Sequence, residues 1–163
     1  MDLFILRHGE AGKSSVSAGD YKRALTIQGK KQIEELSKAL ISLDVKFDKI
    51  FSSPLVRAKQ TAETVETVIK HVGKVEELDC LKPEGNKLEL YSTLSRLKRD
   101  SQVLIVGHEP YLSNLIGDAI SNSDCRIVLK KGGLARIRVQ SIIPLKGELR
   151  WLLTPKHSRK MMN

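Results

Sequence analysis

The sequence predicts an α/β protein whose central sheet is mostly parallel and, at its C-terminal end, mixed. Two observations carry that prediction. Short apolar runs alternate along the chain with segments of helical periodicity, and the last stretch holds two β-like runs joined by a turn. No repeat, low-complexity tract or linker interrupts the 163 residues, so the expected organisation is one domain spanning residues 1–163.

The elements follow in order. Residues 2–6, at the start of MDLFILRHGE, form an apolar strand. In LTIQGKKQIEELSKALIS, residues Ile33, Leu36, Leu40 and Ile41 fall at helical spacing in an otherwise charged segment, the mark of an amphipathic helix. FDKIFSSP reads as a short strand, and residues 54–70 as a helix opened by Ser53 as cap and Pro54 at its first position. Past the looser CLKPEGN, a helix is expected over 87–99. QVLIVGHEP begins as a near-continuous apolar run, as a strand buried on both faces does. A helix over about 111–120 follows, then GLARIRVQSII and GELRWLLTP, a hairpin with its turn at residues 144–147.

Composition limits the partners. Lys and Arg total 28 against 19 Asp and Glu, a net charge of +9 that suits anionic partners. Aromatic residues make up only 4% and no basic run is interleaved with them, which argues against a base-stacking platform and against nucleic acid. Cys80 and Cys125 lack CxxC or Cys/His spacing, so they read as buried reduced thiols rather than metal ligands or a disulfide. No apolar stretch approaches the length of a membrane span and the N-terminus lacks the pattern of a signal peptide, so a cytoplasmic protein with no membrane association is expected.

The chemistry concentrates at two strand ends. FILRHG and LIVGHEP each pass from an aliphatic run through a histidine, His8 or His108, into a turn. Parallel strands would bring both imidazoles to the carboxyl edge of the sheet, where α/β proteins bind ligands. His71, at a helix end, and His157, in the basic PKHSRK, read as structural or surface residues. Arg57, about one turn into the helix after SSP, falls near the same edge, where free N–H groups and the helix dipole favour anions. In isolation Arg57 would be a surface cation; beside Arg7 it completes a pair of planar forks suited to phosphate oxygens. Two histidines and two arginines, with no metal-ligand pattern and no P-loop, point to phosphoryl transfer without a metal or cofactor.

RHG at the first strand end, SSPLVRAKQTA after the second and the later GHEP resemble the histidine phosphatase superfamily, the phosphoglycerate mutase-like fold. RHGEA, RALTIQGKKQ, SSPLVRAKQTAE, LKPEGN, VGHEP, KKGGLARI and WLLTP, in order over nearly the whole chain, resemble its short SixA-type phosphohistidine phosphatases. The resemblance implies a three-layer α/β/α sandwich and a phosphatase in which His8 is the nucleophile and forms a covalent phosphohistidine. It further implies that Arg7, Arg57 and His108 bind the phosphoryl oxygens. Gly9 either lets the backbone approach phosphate or serves the turn. Arg23 either adds a phosphate contact or is a surface charge.

Larger superfamily members carry a glutamate acid between the second arginine motif and the second histidine. Here that interval is short, and Glu10, Glu77 and Glu84 are the candidates. A missing acid favours phosphohistidine, because an imidazole leaving group is protonated near pH ~6.5 and departs with less help, whereas an alkoxide requires a proton donor. The expected substrate is therefore a phosphorylated protein. A small phosphorylated metabolite is the second enzymatic reading, and a non-catalytic phosphate-binding adaptor is the reading from another class.

Overall fold

The computed structural model describes residues 1–13, 20–121 and 125–161. Six strands form one sheet in the order β3-β2-β4-β1-β5-β6. At its centre, β1 (Asp2–Arg7) pairs parallel with β4 (Gln102–Gly107) and antiparallel with β5 (Leu134–Ile142). β2 (Lys49–Ser52) lies parallel between β4 and β3 (Val75–Glu77), and β6 (Leu145–Leu153) closes the other edge against β5.

The apolar run of β1 divides between the two faces because successive strand side chains alternate. Phe4 and Leu6 pack with Ile33, Leu36 and Leu40 of α1 (Ile27–Ser42) and with Ala58, Ala62 and Val65 of α2 (Val56–Ile69). Leu3 and Ile5 join Leu90 and Leu94 of α3 (Lys87–Ser95) and Leu112, Leu115 and Ile116 of α4 (Tyr111–Ile120). Two cores on either side of one mixed sheet make the three-layer α/β/α sandwich of the phosphoglycerate mutase-like fold. A last short helix, α5 (Pro155–Lys160), ties to α1 through Arg159 Nε and Glu35 at 3.2 Å.

Several local expectations shift. α2 starts at Val56 with Leu55 as an N-cap that lends no side chain, so Ser53 is not the cap. Its hydroxyl instead lies in the site described below. α3 ends at Ser95 rather than 99. The hairpin turn is tighter than expected, because β6 already begins at Leu145. β3 and α5 have no counterpart in the sequence reading; each is too short to set a period. Cys80 is buried, whereas Cys125 is only partly so. Among the described residues no helix is long and apolar enough to cross a membrane.

Candidate active site

Strand register builds the site. β1 and β4 pair from Asp2 with Gln102 through Arg7 with Gly107, so the next residue of each strand, His8 and His108, leaves the sheet at the same level. His8 N–H donates to Gly107 O at 3.1 Å, and the ring centroids of His8 and His108 lie 5.1 Å apart. Gly132, held at φ 68°, where a side chain would be strained, turns its N–H onto the carbonyls of Arg7 and His8.

The His8 tautomer follows from its neighbours. Nδ1 lies 2.7 Å from Gly9 O, and a carbonyl can only accept, so Nδ1 carries the hydrogen. Nε2 is then a lone pair, and Arg57 Nε–H donates to it at 3.2 Å. Burial pushes the His8 pKa down to about 4; Arg57, Arg7 and Lys131 push the same way, against the Gly9 carbonyl. The ring is therefore neutral, as a nitrogen nucleophile must be.

His108 Nε2 lies 2.8 Å from Ser53 Oγ, which also accepts the Leu55 N–H at 3.3 Å. The hydroxyl proton is thus available for Nε2, an assignment that puts the ring hydrogen of His108 on Nδ1, a buried atom with no partner. Burial, then the adjacent imidazole and Arg57, bring its pKa down to about 3. An idle buried N–H beside a lone-pair nitrogen suits an incoming oxyanion.

Arg57 sits in the first turn of α2 and is only 4% exposed. Its Nη1 donates to Asp20 O and its Nη2 to Asp20 Oδ2, both at 2.8 Å. Arg7 Nη1 donates to Leu129 O at 2.9 Å, while its Nε is buried and unpartnered. Burial lowers the Arg7 pKa and Glu109 opposes that, but a guanidinium remains charged.

Other residues take less direct places. Gly9 N–H donates to Thr61 Oγ1 at 3.1 Å, and a Cβ at Gly9 would meet Gly29 O, Ile33 and Leu25 within 3.0–3.2 Å, so glycine here serves close packing on α1. Arg23 reaches the cluster through Asp20, donating to Oδ1 at 2.6 Å. Glu10 is exposed, Glu77 pairs with Lys59 at 2.7 Å, and Glu84 lines an adjoining pocket of about 270 Å³ with Asp20, Tyr21 and Lys82. A larger groove of about 480 Å³ runs between α1 and α2, lined by Leu25, Ile27 and Gln60 among others, and is not lined by either histidine. His71 lies just past the far end of α2, and His157 reaches back toward Thr154 at the start of α5. Among the described residues no three His, Cys, Asp or Glu side chains gather as a metal site would require.

Sequence reasoning missed Ser53, Thr61, Asp20 and Glu109. Ser53 could have been found from SSP, since a serine just past a strand end shares the edge with the histidines. Asp20 and Thr61 carry no local signal, because each acts through a contact distant in sequence.

A model of the histidine phosphatase superfamily (branch 1) matches residues 3–89. The chain belongs to that superfamily. It is 32% identical over 127 residues to a SixA homolog of Haemophilus influenzae, spanning 72% of this chain and 76% of that one. The solved structure of the protein histidine phosphatase SixA complexed with tungstate superimposes with a TM-score of 0.85 at 25% identity, covering 96% of this phosphatase and 98% of that chain. The α-ribazole phosphatase of Shigella flexneri shares the fold at a TM-score of 0.73 and 22% identity over 95% and 97% of the two chains.

Proposed function

We propose that this phosphatase removes phosphate from phosphohistidine on a protein, with His8 as nucleophile. The lone pair of His8 Nε2 attacks phosphorus as the bond from phosphorus to the substrate imidazole breaks, and that imidazole leaves, taking a proton from solvent water. Water then attacks the phosphorus on His8, its proton returning to solvent, so that inorganic phosphate is released and the neutral ring restored. The carrying observation is the His8 tautomer, with Nδ1–H held by Gly9 O at 2.7 Å and Nε2 left as a lone pair facing Arg57.

The surrounding donors have matching roles. His108 Nδ1–H, Arg57 and Arg7 would stabilise the transferring phosphoryl oxygens, a reaction in which positioning and electrostatics supply most of the catalysis. Among the described residues, Arg7 Nε and His108 Nδ1 are buried members of the cluster without a hydrogen-bond partner.

The choice of substrate rests on the carboxylates. Asp20 is opposed by partial burial, yet the hydrogen bonds and charges of Arg23 and Arg57 hold it below the ordinary carboxylate range, so it is ionised and no acid. Both Glu109 oxygens accept from Ser113, one from its N–H and one from its hydroxyl, and Glu77 is paired with Lys59. An imidazole leaving group requires the least help from an acid. The SixA relatives, whose names state phosphohistidine or protein histidine phosphatase, agree with this choice.

A substrate panel under chelating conditions tests it: a histidine-phosphorylated protein, sugar phosphates and nucleotides. The phosphohistidine protein should have the highest kcat/KM. Fast turnover of a sugar phosphate with no discharge of any phosphohistidine protein would replace this reading by a metabolite phosphatase.

A further inference from the structure

Arg57 is an unusual place for a buried cation. It lies in the first turn of α2, where the helix dipole disfavours positive charge, and burial adds a desolvation cost. Asp20 compensates both, and its geometry does more than neutralise. Of the five N–H donors of a guanidinium, three are assigned here: Nε–H to His8 Nε2, Nη1–H to Asp20 O and Nη2–H to Asp20 Oδ2. Asp20 thus grips the far end of the fork, and because the group is planar and rigid, the Nε edge is turned onto His8. Asp20 is itself held: Arg23 Nη1 donates to Oδ1 at 2.6 Å, while Arg23 Nε donates to Gly12 O at 2.9 Å.

Attack requires the His8 lone pair to be released. The Arg57 Nε–H must pass from His8 Nε2 to a phosphoryl oxygen, and among the described residues two further N–H donors of Arg57 have no assigned acceptor. A guanidinium anchored at its far end can make that exchange without travelling.

We infer that Asp20 is a positioning residue for phosphoryl transfer, acting through Arg57 and braced by Arg23; this rests on the reading of His8 as nucleophile. Its side chain is 54% exposed, so replacing it removes an anchor without opening a core cavity. The bond to the Asp20 carbonyl survives any substitution, so the loss is partial.

The test uses the full chain, p-nitrophenyl phosphate for turnover, tungstate for anion binding by calorimetry, and thermal unfolding. D20N and D20A should lower kcat/KM on the order of 10-fold or more, as small misplacements of a catalytic group do. Both should weaken tungstate binding while the unfolding midpoint stays near that of the wild type, and R23A should follow in the same direction. In an R57A background, D20A should change tungstate affinity by less than ~2-fold, since the two residues are coupled. Tighter tungstate binding by D20N or D20A would instead make Asp20 a plug that substrate displaces, and equal losses in both backgrounds would remove Arg57 as the intermediary; either overturns the inference. H8A separates the two readings. If H8A keeps turnover, the nucleophile is wrong; if H8A abolishes it while the Asp20 variants match wild type, only the role of Asp20 falls.

Discussion

A histidine is a usable nucleophile only when it is neutral, and His8 reaches that state by position. Its pKa of about 4 lies below the ordinary 6.5, so the folded ring takes up a proton only as pH falls through about 4. A ¹³C-edited NMR titration should therefore find the His8 C2–H resonance unmoved between pH 7.5 and pH 5.5; a midpoint near the ordinary value would contradict the buried site. His8→Ala should abolish turnover, because it removes the nitrogen lone pair that accepts from Arg57. Arg57→Ala should lower kcat at least ~100-fold, the usual cost of losing one preorganised charge contact, and a change under ~3-fold would remove it from the chemistry. Arg7, His8, Arg57 and His108 were legible as one cluster because each lies at or just past a strand end or a helix start. Asp20 was not, since only a fold that brings residue 20 against residue 57 gives it a partner.

At the level of elements, the site depends on how α1 seats the loop after β1. A Cβ at Gly29 would lie 2.0 Å from Glu10 O, closer than any packed contact allows. Thr26, the α1 N-cap, accepts the Gly29 N–H at 2.9 Å, and its own N–H donates to Glu10 O at 2.9 Å, so helix start and loop are locked together. Gly29→Ala should cost about 3 kcal/mol in stability, at the upper end of overpacking, and should lower activity as well. Chemical denaturation with parallel assays would check this, and an unchanged midpoint would show that the loop can yield. The sequence made α1 legible by its helical apolar spacing and β4 by its near-continuous apolar run. It missed the true start of α2, because Ser-Pro is a strong start signal that the structure overrides by leaving Ser53 to His108.

The whole molecule carries the cost of two buried neutral histidines. Unfolded, both titrate near the ordinary 6.5; folded, they resist protonation until about 4 for His8 and about 3 for His108. Between these limits the unfolded chain binds more protons, so stability should fall as pH drops below about 6.5. Unfolding midpoints across that range for wild type and the double variant H8A/H108A should converge at low pH; parallel curves would contradict the linkage. We propose residues 1–163 as a single domain, and one cooperative transition in the same melts would support it. The net charge of +9 adds an ionic-strength test: kcat/KM on an acidic phosphoprotein should fall more steeply with salt than on p-nitrophenyl phosphate.

The central claim is a phosphoryl group carried on one nitrogen of His8. Rapid quench of the enzyme with a phosphohistidine protein into alkali, followed by proteolysis and mass spectrometry, reads it directly. The expected product is an acid-labile, alkali-stable phosphate on His8, absent from H8A and formed at least as fast as steady-state turnover. Label on another residue, or turnover with no label on His8 at any quench time, would contradict it.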